Sequence, residues 1–68
     1  MRDLPIRGES IRLGQALKLS GLAESGGEAR ALIEDGAAIV NGEVETRRGR
    51  QLQRGDVVDV AGDTVRVA

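Results

Sequence analysis

Arg47, Arg48, Arg50 and Arg54 fall within eight consecutive positions, "RRGRQLQR", and no acidic residue stands among them. A guanidinium presents a planar fork of N–H donors that matches the oxygens of a phosphate. Clustered arginines without a carboxylate of their own point to a phosphate-bearing partner rather than to acid–base or metal chemistry. The alternative is a solvated loop kept polar for solubility. Gly49 lets the chain bend between basic positions. Leu52, the only apolar side chain in the run, is expected to point inward and anchor it.

The cluster sits in a chain of net charge −1. Residues 1–46 carry five basic and eight acidic side chains, residues 47–54 four basic ones, and residues 55–68 one basic and three acidic. Exposed charges are screened over about 8 Å at physiological salt. A local positive patch therefore survives on an acidic molecule.

Composition removes most other chemistry. With no cysteine and no histidine, the chain lacks disulfides, thiolates, the commonest metal ligand and the base that titrates near neutrality. No catalytic residue, metal or cofactor is expected. Glu34 and Asp35 are neighbours that diverge on a helix. Asp56, Asp59 and Asp63 lack the spacing of a calcium loop, and Asp56 and Asp63 read as turn residues. Without Phe, Tyr or Trp, the core must be Leu, Ile, Val and Ala, and no aromatic ring is available to stack a base.

The 68 residues, 40% hydrophobic and 31% charged, suit one soluble domain spanning 1–68 with a single core. No apolar run approaches the ~20 residues of a membrane span, and "MRDLPIRGES" has no apolar stretch of the signal-peptide kind. The expectation is a cytoplasmic monomer without membrane or DNA contacts.

The elements that must position the arginines follow from local patterns. Ile11 and Leu13 alternate with Ser10 and Arg12, which predicts a short strand. "QALKLS" then reads as a short helix with Gly14 near its N-cap, Gly21 as its stop, and Ala16, Leu17 and Leu19 as its apolar face. Ser25, Gly26, Gly27 and Glu28 match the Ser-x-x-Glu capping box. Ala29, Leu32 and Ile33 give a second helix from about Gly26 to Asp35 one apolar stripe, and Gly36 supplies a left-handed stop. Asn41-Gly42 predicts a type I′ hairpin. Val57–Val60 and Thr64–Val67 read as strands turned at Gly62-Asp63, with the arginines in an irregular loop between the two β units. The start of the second helix, with its free N–H groups, is a further phosphate-binding candidate. Arg30, one turn in, is placed to reach the same ligand or to pair with Glu34 at i+4.

"RLGQAL", "SGGEARALIEDGAAIVNGEV" and "LQRGDVVDV" together, in this order from Arg12 to Val60, resemble the small RNA-binding domain named after ribosomal protein S-four. "LKLSGLAESGGEAR" with "VNGEVETRRGR" is similar to its free-standing bacterial form. The resemblance implies an α+β fold, two short helices packed on a small curved, mainly antiparallel sheet of about four to five strands. It also implies non-catalytic binding of structured RNA, ribosomal or tRNA-like. Carried onto this chain, contacts fall at Ser25, Gly26, Gly27 and Arg30, at Arg47, Arg48 and Arg50, and at Arg12 and Lys18. Two positions depart from the pattern. Gly14 stands where many members carry aspartate and Gly26 where many carry arginine, so more of the affinity is expected from the arginine loop.

Two other classes are weighed against this one. A module that docks on a ribosome or assembly factor without touching RNA would bind independently of salt. A β-grasp sulfur carrier shares the "VNG" hairpin and the late "GD" strand, but it needs a C-terminal Gly-Gly where this chain has Val67-Ala68.

Overall fold

Two pairs of positive φ angles set the hairpins of this protein, whose computed structural model describes residues 1–68. Asn41 and Gly42 (φ 52° and 84°) join β3 (Ala38–Val40) to β4 (Glu43–Val44), as expected of a type I′ turn. Ala61 and Gly62 (φ 54° and 84°) join β6 (Val57–Val60) to β7 (Asp63–Val67). This second turn lies one residue earlier than the sequence predicts. Alanine rarely accepts a left-handed backbone and so gives no turn signal, while Asp63 begins β7 and pairs with Arg2 at 3.2 Å.

Alternation along the late strands buries one face. Val58 and Val60 on β6 and Val65 and Val67 on β7 are buried, and Asp63 and Arg66 are exposed. A strand that the sequence did not reveal, β1 (Arg2–Leu4), pairs in parallel with β7 and completes a five-stranded sheet ordered β1-β7-β6-β3-β4. Its other ladders are antiparallel. β2 (Ser10–Arg12) and β5 (Gln51–Gln53) form a separate antiparallel ribbon in which Ile11 faces Leu52. The expected fold class holds, and the ribbon stands beside the expected sheet. The stretch read as irregular loop thus contains β5, which escaped notice because Leu52 is its only apolar residue.

The first helix, α1 (Leu13–Ser20), starts earlier than Gly14: Arg12 is its N-cap residue and Leu13 its first position. Leu13, Ala16 and Leu17, spaced i, i+3 and i+4, form its buried face. Leu19, the third apolar position named from sequence, does not join this face and is 58% exposed. Gly21 ends the helix at φ 81°.

The second helix, α2 (Gly26–Glu34), follows its capping signal. Ser25 Oγ accepts the Glu28 N–H at 3.1 Å. Glu28 Oε1 reaches the N–H of Glu24, at 3.2 Å, rather than that of Ser25. Ser25→Ala should cost about 1 kcal/mol of unfolding free energy, read from urea denaturation of the two proteins. Ala29 and Ile33 of α2 are buried and Leu32 is half-buried.

Both helices contribute to one cluster of 14 buried apolar residues with the β-strands. Its largest members, Leu13, Leu17, Ile33 and Leu52 among them, each stabilise the fold by roughly 1.5–3 kcal/mol through burial. Leu13 and Leu52 also fix α1 and β5 in the same core, and this brings the arginine loop to the start of α1.

Candidate nucleic-acid interface

The loop between β4 and β5 is organised by a carboxylate. Glu45 is the one charged residue that is buried, 7% exposed. Its backbone N–H donates to Ala38 O at 3.0 Å, which holds it beside β3. Its Oε2 accepts from the Arg47 backbone N–H and from Arg47 Nε, both at 3.1 Å. Its Oε1 accepts from Arg47 Nη2 at 3.2 Å and from Arg50 Nη1 at 3.1 Å. The Arg47 guanidinium and backbone N–H, with help from Arg50, hold the Glu45 carboxyl down at about 2. Glu45 in turn raises the pKa of Arg47.

The loop is then tied to α1. Arg50 O accepts the Leu13 N–H at 2.8 Å and Arg48 O accepts the Gly14 N–H at 3.1 Å. Loop carbonyls therefore satisfy two of the amides that every helix start leaves free. Beyond β5, in the turn before β6, Asp56 Oδ2 accepts the Gln53 N–H at 2.7 Å, which is the main cause of its lowered pKa. Asn41 Nδ2 donates to Asp56 Oδ1 at 3.0 Å, and Asn41 Oδ1 accepts the Val57 N–H at 2.9 Å. These bonds tie the turn between β5 and β6 to the Asn41-Gly42 hairpin.

This architecture sorts the nine arginines of the chain. Arg2, Arg30, Arg47, Arg50 and Arg66 are ion-paired, and Arg54 Nη2 donates to Ile6 O at 2.8 Å. Arg7, Arg12 and Arg48 have no side-chain partner. Arg12 and Arg48 line one cleft of about 330 Å³ together with Gly14, Gln15 and Gly49, and no hydrophobic residue lines it. A Cβ at Gly14 would stand 3.7 Å from Arg48 O, so glycine here keeps the wall of the cleft bare where an aspartate would set a carboxylate beside it.

The residues predicted from sequence divide into two groups. Arg12, Arg47, Arg48 and Arg50 come together where α1 meets the loop, and Lys18 is exposed further along α1. Ser25, Gly26, Gly27 and Arg30 lie on a second element, at the start of α2, and no hydrogen bond or ion pair links them to the loop. Ser25 serves as a cap, Arg30 Nε pairs with Glu34 at 3.1 Å, and the Glu28 carboxylate accepts the Glu24 N–H at this end. Glu45, Arg7 and Gln15 were missed from sequence. Glu45 lies just outside the acid-free run, and its role was legible only as its distance of two residues from Arg47 and five from Arg50. Arg7 and Gln15 carry no periodic or motif signal.

Fold and cleft together define a small α+β module with a helix pair on a sheet and a polar, cation-lined hollow at the start of its first helix. The family model of the S4 domain matches residues 4–68, and the chain belongs to that family. It is 46% identical over 54 residues to the Bacillus subtilis protein named "Probable ribosome maturation protein RlbA", covering 79% of this chain and 76% of that one. It is 40% identical over 57 residues to the Escherichia coli protein named "Putative RNA-binding protein YbcJ", covering 84% of this chain and 81% of that one.

Proposed function

We propose that residues 1–68 act as one monomeric, non-catalytic unit that binds structured RNA, ribosomal RNA first among candidates, through its phosphates and shape. The observation that carries this reading is the polar cleft in which Arg12 and Arg48, both without a protein partner, stand beside the start of α1. The domain family and the names of the two relatives support the choice of RNA, and the Bacillus subtilis name supports ribosome maturation as the setting. An RNA helix hides its base edges in a deep, narrow groove, so backbone and 2′-OH contacts dominate over sequence.

In this reading Arg12 and Arg48 are the main phosphate ligands. Arg47 and Arg50 keep some N–H groups free of Glu45 and add to the positive potential, and Lys18 extends the surface along α1. Ser25, Gly26, Gly27 and Arg30 form an outer rim that contributes less, because Arg30 is paired with Glu34 and the Glu28 carboxylate lies at the same helix end.

Titrating a ribosomal RNA hairpin into isotope-labelled protein tests the assignment. The largest amide shifts should fall at residues 12–15 and 47–50, with small ones at 25–30. Shifts concentrated on 25–30 would move the interface to α2, and no shifts at low salt would remove RNA as the ligand.

A further inference from the structure

The third arginine without a protein partner, Arg7, lines a second cleft. It measures about 390 Å³, within the roughly 300–1,000 Å³ of small-ligand sites. Its apolar lining is Ile6, Ile11 and Leu19, and Ser10, Gln15 and Arg7 supply its polar groups. Gln15 also lines the Arg12–Arg48 cleft, so the two hollows adjoin across one side chain. Every arginine that the fold leaves free thus faces one continuous surface.

This groove is held in shape. Ile6 and Ile11 pack against the core. Ile6 N–H donates to Ala68 O at 3.1 Å, and its carbonyl accepts from Arg54. The sequence counts Leu19 among the apolar positions of α1, and it is the only large, exposed hydrophobic residue on a helix.

We propose that the groove receives one unpaired nucleotide of the RNA, whose neighbouring phosphate lies in the Arg12–Arg48 cleft. This rests on the RNA-binding reading above and names what that site distinguishes. A continuous RNA duplex offers phosphates and 2′-hydroxyls but nothing to cover Ile6, Ile11 and Leu19. A base outside the stack needs an apolar surface, and commonly a guanidinium plane, against its face. In a chain without aromatic residues, Leu19 with the two isoleucines and Arg7 supply both. The Gln15 amide both donates and accepts, and the Ser10 hydroxyl, which donates to Gln51 Oε1 at 3.5 Å, keeps its lone pairs to accept, which suits a base edge of either polarity. An apolar protein segment would fill the groove without using the arginines that flank it.

The test compares two hairpin RNAs with the same stem, one flush-ended and one carrying a single unpaired nucleotide at its end. Wild-type protein should bind the second about tenfold more tightly, the lower range of what stacking one base contributes. Leu19→Ser, at an exposed position, should abolish that preference while leaving affinity for the flush hairpin unchanged, and Arg48→Ala should weaken both. Equal wild-type affinity for the two RNAs would overturn the proposal, as would a preference that survives both Leu19→Ser and Arg7→Ala. In either case binding to the flush hairpin would leave the RNA-binding reading standing, whereas failure of both RNAs to bind at low salt would end both.

Discussion

Replacing Arg12 and Arg48 together with alanine is expected to weaken binding of a structured RNA by roughly a hundredfold. A hydrogen bond to a charged group contributes on the order of 1.5–3 kcal/mol. The loss of one such contact per arginine is therefore about tenfold or more. Both guanidiniums line the same cleft and neither is held by a carboxylate, so neither must first break an ion pair to meet a phosphate. The stability cost should be small, because both side chains are exposed and the backbone bond from Gly14 N–H to Arg48 O does not depend on the side chain. Arg30→Ala is the control, since its partner is Glu34 at 3.1 Å on an exposed helix face. Affinities measured at one low salt concentration should leave Arg30→Ala close to wild type.

Glu45→Gln carries the second large effect, and its sign separates two accounts of the loop. Coulomb attraction alone predicts that removing a negative charge from the arginine cluster strengthens RNA binding. The structure points the other way. The carboxylate fixes Arg47 by its backbone N–H and its guanidinium, and fixes Arg50 by Nη1. The same segment supplies the Arg48 and Arg50 carbonyls that cap α1. Releasing it frees the loop and costs the preorganisation on which the placement of Arg48 depends. RNA affinity should fall severalfold at pH 7 despite the gain of one positive charge, and a rise would show that Glu45 only neutralises the loop.

The same substitution has a signature in acid. The Glu45 carboxyl is lowered from 4.5 to about 2 by its arginine partners. Its stabilising contribution is therefore complete above about pH 4.5 and is lost as pH falls toward about 2. Thermal melting of the wild type should decline across that window, and the Glu45→Gln protein should decline less. Asp56, also lowered, chiefly by the Gln53 N–H, remains in both proteins and sets their common residual slope.

Local codes made most of this fold legible. A serine hydroxyl and a glutamate three residues on mark the start of α2 whatever the rest of the chain does, and Asn-Gly marks a hairpin because few other pairs accept its backbone. Leu52 was legible as an anchor because a lone apolar residue among arginines and glutamines has little other use. What escaped was non-local. β1 exists only because β7, more than sixty positions away, offers it an edge. β5 is a strand through its pairing with β2, and α1 begins at Leu13 because loop carbonyls cap it.

For the candidate site, the sequence singles out the arginine cluster but not the partners of its members. Counting charge inside residues 47–54 leaves out Glu45, so a cluster without a carboxylate partner was expected where the structure holds two arginines on a carboxylate and a third on the Ile6 carbonyl. Burial of Leu13 and Leu52 in one core sets the loop beside α1, a neighbour that local sequence patterns do not reveal.

The central claim, that phosphates are recognised by the Arg12–Arg48 cleft, is tested most directly by the salt dependence of RNA affinity. Each phosphate neutralised releases counterions and steepens the slope of log affinity against log salt by about 0.7–0.9. The account predicts a steep wild-type line and a line flatter by about 1.5 units for the Arg12→Ala, Arg48→Ala double variant. A wild-type affinity indifferent to salt, or equal slopes for the two proteins, would contradict it.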